Sequence, residues 1–290
     1  MVQHHQLMFN IMYITKFVLR YNMKFINKLV SSIDIWGPVP KLYGWYHILC
    51  LVLTVALTVF LILKFKNCDD KCFRKIILTT WIIMLVFEVY KQVVTSFDTE
   101  TDTWKYLWYY FPFQFCSSPL YVLPFIAFLK EGKVRNAFIA FTMSFAFFGG
   151  LVVMIYPGDV FQGCIGINIQ TMVHHVSQVV MGIFVAVHQR KKFSKKFFLS
   201  AITVFAVIVV IAIGFNVVGH IFIPEQGLNM FFVGPYVPSA LPVFNIIYPL
   251  VPWPVFLAIY ILGFSFIAML ICYTANLIYV KGKNHENKAA

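Results

Sequence analysis

Residues 109–125 read YYFPFQFCSSPLYVLPF, an aromatic, apolar, proline-bearing run with Gln114, Cys116, Ser117 and Ser118 at its centre. A thiol becomes a strong nucleophile once deprotonated, and a neighbouring imidazole can take its proton. The chain offers two adjacent imidazoles, His174 and His175 in TMVHHVSQ, and a carboxylate, Glu88 in VFEVY, three residues before Lys91. A Cys nucleophile, a His base and a third group that orients the His form a recurring catalytic constellation. Pro112 and Pro119 bracket the thiol, so a helix there is predicted to break, freeing backbone N–H groups to receive an oxyanion. Plainer roles compete with each of these. A cysteine in an apolar run packs as a small hydrophobe, and Glu88 and Lys91 at i, i+3 neutralise each other. The two histidines point about 100° apart on a helix, so only one faces a given site. The pair HH lacks the helical spacing of metal ligands. Cys68 and Cys72, flanking DDK in a basic loop, supply two ligands where a structural zinc takes four. No metal or other cofactor is expected.

The elements that must carry these groups are set by an unusual composition. Hydrophobic residues make up 60% of the 290 and charged residues only 12%, against about 25% charged in a soluble domain. Several apolar runs reach the roughly 20 residues that cross a bilayer core. They are too long and too unalternating for barrel strands, so the class is all-α: a polytopic membrane protein of seven helices. The spans are predicted at Tyr46–Leu63, Ile76–Phe97, Leu107–Leu129, Asn136–Tyr156, Ile167–Val187, Phe197–Val218 and Trp253–Val280. Ahead of this 43–280 domain, residues 1–42 carry Lys16, Arg20, Lys24 and Lys28 at a spacing of four, which predicts an amphipathic interfacial helix over 7–35, the alternative being a weakly apolar eighth span. Between the last two spans, 219–252 is apolar but studded with Pro and Gly, and is predicted to be a structured re-entrant cap.

The net charge of +12 lies in short clusters between spans: KFKNCDDKCFRK, KEGKVR, HQRKKFSKK and the tail 281–290. That placement follows the positive-inside rule, so these segments are expected in the cytoplasm of a multi-pass cell-membrane protein, and nucleic acid is not an expected partner. With that orientation Glu88, Cys116 and His174/His175 fall about 10–14 Å below the opposite edge. His47 and Asn216 lie toward the same side. Ionisable groups are costly inside a membrane, so one shared polar layer reads as one buried site.

The order of these residues resembles a family. His47 in YHILC, Glu88 in VFEVY, FPFQFCS ending on Cys116–Ser117, His174–His175, Asn216, then GLNMFFVGPYVPS (with Asn229) and VPWPVF are similar to the motifs of YwaF-type integral membrane proteins, which are related to transmembrane protein 164. The resemblance covers about residues 43 to 280. It implies a lipid acyltransferase in which Cys116 takes an acyl chain from a phospholipid as a thioester and passes it to a lysolipid or other membrane acceptor, with His174 or His175 as base. Glu88 would support the chemistry, and Gln114, His47, Asn216, Ser117 and Asn229 would line the substrate site. Where the family has His two positions before the cysteine, this chain has Gln114, which cannot take a proton at neutral pH. The competing readings are a proton-coupled transporter or lipid flippase, and a non-catalytic lipid-binding scaffold. A retinal-type photoreceptor is disfavoured because no Lys lies between Trp253 and Val280.

Overall fold

The computed structural model describes residues 23–158 and 160–289, with side chains through 282. The protein is all-α. A first helix, α1, is described over residues 23–33, followed by α2 (Trp45–Phe65), α3 (Asp70–Ser96), α4 (Pro119–Phe128), α5 (Lys133–Phe141) and α6 (Phe147–Ile155). Then come α7 (Ile165–His188), α8 (Lys195–Phe222), the short α9 (Phe244–Ile247) and α10 (Trp253–Ala289). A π turn, Thr142–Ala146, joins α5 to α6 as one continuous rod. A two-stranded hairpin, β1 (Phe97–Asp98) with β2 (Thr103–Trp104), closes the end of α3.

Five of these helices are long and apolar enough to span a bilayer: α2, the α5–α6 rod, α7, α8 and α10 as far as Gly282. The surface of α2 shows what solvent they face. Its inward side holds His47, Cys50, Thr54 and Thr58, while Val55, Phe60 and Leu63 point outward. Polar-in and apolar-out is stable only against hydrocarbon. The inward threonines return their hydroxyls to carbonyls one turn back, Thr54 to Cys50 and Thr58 to Thr54, both at 2.7 Å. With 27 residues α3 also has the length, but it carries Glu88 and Lys91 inside.

The third predicted span is not a continuous helix. Over 107–129 the chain forms two 3-10 turns, Trp108–Tyr110 and Phe115–Ser117, before α4 begins with Pro119 in its first turn. Proline has no N–H to give and clashes with the preceding turn, so Pro112 and Pro119 hold the cysteine on irregular backbone. The segment after α8, 223–252, turns back into the bundle. Its buried apolar side chains are Leu228, Met230, Phe231 and Val233, and Phe231 and Phe232 both adopt left-handed backbone, φ 57° and 56°.

The described part of the N-terminal segment packs on the end of the bundle away from the basic loops; the predicted residues before 23 lie outside the described residues. Val30 is buried, Asn27 donates to the carbonyl of Thr99 at 2.6 Å and to Asp102, and Tyr90 donates to the carbonyl of Ile33 at 3.0 Å. Lys24 and Lys28 remain exposed.

At the basic end, ahead of the apolar part of α3, Asp70 is the hub of a polar network. Arg74 donates to it at 2.6 Å, and fully buried Arg135 reaches it from α5 at 2.6 Å. Arg74 and Arg135 also donate to the carbonyls of Ala127 and Ile126, tying α3 to the end of α4. Partial burial pushes the Asp70 carboxyl up, but the hydrogen bonds from Arg74 and Arg135 outweigh it and hold it below the usual range. A depressed carboxyl stabilises the fold above its unfolded pKa and loses that contribution as pH falls through the folded one. The melting temperature is therefore expected to drop below about pH 4, and Asp70→Asn to be lower at neutral pH but flatter in acid. An Asp70→Asn variant with the wild-type acid profile would refute this.

Candidate functional site

The site is organised by one stripe of α7. Gln170, His174 and Gln178 stand at i, i+4 and i+8, a spacing that aligns them on one face. Gln170 Nε2 donates to Glu88 Oε2 at 3.2 Å. His174 Nε2 bonds the carbonyl of Met84 at 3.0 Å and so carries a proton there; it lies 3.9 Å from Glu88 Oε2. Gln178 Nε2 donates to the carbonyl of Cys116. The stripe thus connects the carboxylate of α3 to the cysteine turn.

Glu88 is well engaged. Lys91 Nζ lies 2.8 Å from Oε1, and Gln92 Nε2 donates to the same oxygen at 2.6 Å while also reaching the carbonyl of Tyr110 at 2.7 Å. Both members of the Glu88–Lys91 pair are largely buried. The neutralising role that their spacing allows is therefore real, and the same pair also anchors the start of the cysteine loop through Gln92.

His175 differs from its neighbour. Its Nδ1 bonds the carbonyl of Thr171, one turn back, at 2.7 Å. A carbonyl can only accept, so Nδ1 holds the proton and Nε2 is a bare acceptor. That Nε2 is buried and has no partner among the described residues, as are Ser118 Oγ, Gln178 Oε1 and Gln92 Oε1. Buried polar atoms are normally paired; of these, Ser118 lies two residues after Cys116 and Gln178 bonds the Cys116 carbonyl. Cys116 itself is intermediate in exposure, and Ser117 beside it is buried. The backbone N–H groups of Phe115 and Cys116, at the start of the 3-10 turn, receive no acceptor among the described residues.

Close approach here depends on two glycines. A Cβ on Gly149 would lie 2.8 Å from the ring of Phe115, and one on Gly150 would lie 2.5 Å from Cβ of Gln178. A larger residue at 149 must displace Phe115 of the cysteine turn, and one at 150 must push α6 away from α7.

The remaining predicted residues do other work. Gln114 accepts from the N–H of Phe231 at 2.9 Å and donates to the carbonyl of Asn229 at 3.2 Å. Asn216, on α8, brackets Met230, accepting from its N–H at 2.5 Å and donating to its carbonyl at 3.0 Å. Asn229 accepts from the N–H of Gly234 at 2.8 Å and donates to the carbonyl of Val237 at 2.9 Å. From α10, Tyr260 donates to the carbonyl of Phe231 and Trp253 to that of Val233. These amides hold the 229–234 backbone against the cysteine turn. Asn216→Ala would leave the Met230 amide buried and unpaired, a loss of about 1–3 kcal/mol. It is expected to appear as a lower melting temperature and faster proteolysis within 223–252; wild-type proteolysis would count against the clamp.

His47 lies apart from this cluster in its bonds. It accepts from the N–H of Tyr43 at 3.1 Å and donates to the carbonyl of Met154 at 2.9 Å, fastening the start of α2 to the end of α6. Cys68 and Cys72 sit at the basic end, where Asp69 caps α3 and Cys68 Sγ lies 3.6 Å from His188 Nε2. Gln92 and the two glycines had not been singled out. Gln92 was visible as a partner four residues after Glu88, whereas nothing local marks the glycines.

The profile of the TMEM164 family matches residues 42–275. The chain belongs to this family. Its match covers all of the site just described and leaves out α1 and the end of α10. No curated protein and no solved structure matches the chain. In this TMEM164-family chain, Gln170 and Gln92 bond Glu88 with His174 beside it, and Gln178, on the same face of α7, bonds the carbonyl of Cys116.

Proposed function

We propose that the protein is an integral membrane acyltransferase that moves a fatty acyl chain from a phospholipid to a lysolipid through a thioester on Cys116. The observation that carries this reading is the buried, unpartnered Nε2 of His175, one helical turn from the Gln178 that grips the cysteine backbone. In the first half-reaction His175 Nε2 takes the thiol proton, and the sulfur attacks the ester carbonyl. The N–H groups of Phe115 and Cys116 receive the oxyanion. The C–O bond breaks, and the departing lysophospholipid oxygen recovers the proton from His175. In the second half-reaction the hydroxyl of a lysolipid gives its proton to His175 and attacks the thioester; the thiolate leaves and is reprotonated. Glu88 acts through the α7 stripe, and Gln114, Asn216 and Asn229 shape the floor of the site.

The charge bias of the loops supports a cell-membrane orientation with the basic loops and C-terminus in the cytoplasm, and so a site nearer the opposite leaflet. The deciding experiment is intact-mass spectrometry of the detergent-purified protein after incubation with phospholipid and no acceptor. A mass gain of one acyl chain, reversed by neutral hydroxylamine, is expected. Unmodified protein together with no lysolipid release would overturn the reading.

A further inference from the structure

At the basic end of the bundle a cleft of about 550 Å³ separates α7 from α10, within the roughly 300–1,000 Å³ typical of ligand pockets. Its walls are apolar, built from Phe147 beside the π turn, Gly182 and Ala186 of α7, and Leu270, Thr274 and Ile278 of α10. Leu270 and Ile278 are exposed, so the cleft borders the surface that faces hydrocarbon. Protein interiors are packed nearly as densely as crystals, and an apolar gap of this size beside a bilayer is space for an alkyl chain.

The mouth is charged. Arg190 lines it, with its guanidinium donating to the carbonyl of Val187 at 2.7 Å and to Asn67 Oδ1 at 2.8 Å. The same short segment carries Lys191, Lys192, Lys195 and Lys196, and among the described residues only Lys192 has a carboxylate partner, Glu131 at 2.6 Å. A basic rim over an apolar slot between membrane helices is complementary to an anionic headgroup with its acyl chain.

We propose that this cleft is a binding site for one anionic phospholipid, with its phosphate on the Arg190–Lys196 rim and one acyl chain between α7 and α10. It is separate from the reaction site. From Gln178, α7 runs ten more residues to His188, about 15 Å along the helix, before the turn that carries Arg190. A lipid's ester lies next to its phosphate across a short glycerol backbone, so the seated lipid directs only its chain end toward the cysteine turn. It wedges α10 against α7 and does not supply an acyl group. The proposal does not depend on the thiol chemistry.

Native mass spectrometry of the full chain, released from nanodiscs of equal phosphatidylglycerol and phosphatidylcholine, tests it. Wild type is expected to retain one phosphatidylglycerol in preference to phosphatidylcholine. Ala186→Trp, which fills the slot, loses the retained lipid. Lys191→Gln/Lys195→Gln/Lys196→Gln keeps a lipid but loses on the order of 100-fold of the anionic preference. Cys116→Ala retains the lipid as wild type does. Equal retention of the two lipids by wild type would overturn the proposal, as would loss in Cys116→Ala, which would make the lipid a substrate. If Ala186→Trp does not fold, Thr274→Trp fills the slot from the opposite wall, and unchanged retention by either folded variant is fatal to the assignment.

Discussion

Cys116→Ala is expected to abolish acyl transfer and the covalent adduct while leaving the melting temperature near that of wild type. The thiol side chain makes no hydrogen bond that the fold relies on; the cysteine is held by its backbone carbonyl, which alanine also provides to Gln178. His175→Ala should reduce turnover by about 10²–10⁴-fold, the usual contribution of a positioned base, and should slow adduct formation in parallel. His174→Ala should behave differently. Its Nε2 is committed to the carbonyl of Met84 beside Glu88, so its loss should lower stability at least as clearly as rate. If His174→Ala abolishes the adduct with stability intact, and His175→Ala leaves turnover unchanged, the roles assigned to the two histidines are reversed.

Glu88→Ala is the second large effect. It strands Lys91, a cation with 14% of its side chain exposed, next to a carboxylate's empty place. Removing one partner of a buried ion pair costs about 3–5 kcal/mol, because the charge left behind has neither solvent nor counter-ion. Gln170 and Gln92 lose their acceptor at the same time. The double variant Glu88→Gln/Lys91→Met should recover much of that stability, since two isosteric neutral groups pack where two charges had to be paired. Thermal melts of the single and double variants in one detergent measure this directly. If the double variant is no more stable than Glu88→Ala, the pair is not what holds the two helices' polar layer together.

The spans were legible because a bilayer demands continuous apolar length, a requirement written locally in the chain. The break around Cys116 was legible for the same reason: Pro112 and Pro119 act on their own neighbours. The re-entrant character of 219–252 also followed from its prolines and glycines. What could not be read was which polar group meets which. Gln114 occupies the position of a family histidine and reads as a substrate contact, but both polar atoms of its amide are engaged, by Asn229 and Phe231. His47 and Asn216 share a depth with the site yet are committed to backbone groups elsewhere. The distinction between His174 and His175 depends on a carbonyl of α3 being within reach of one ring only. The stripe of Gln170, His174 and Gln178 was the exception: its four-residue spacing was present in the sequence and needed only a helix to be seen as one face.

The bond between Gln114 and Phe231 spans 117 residues of chain. At about 5–20 residues per second of synthesis, on the order of ten seconds separate the emergence of the cysteine turn from that of its clamp. α10, which supplies Tyr260 and Trp253 to the same segment, comes later still. During that interval the cysteine turn lacks the 229–234 backbone that Gln114 holds against it. The bundle therefore acts as its own timer: the backbone that packs on the cysteine turn is fastened only once the last helix is in place.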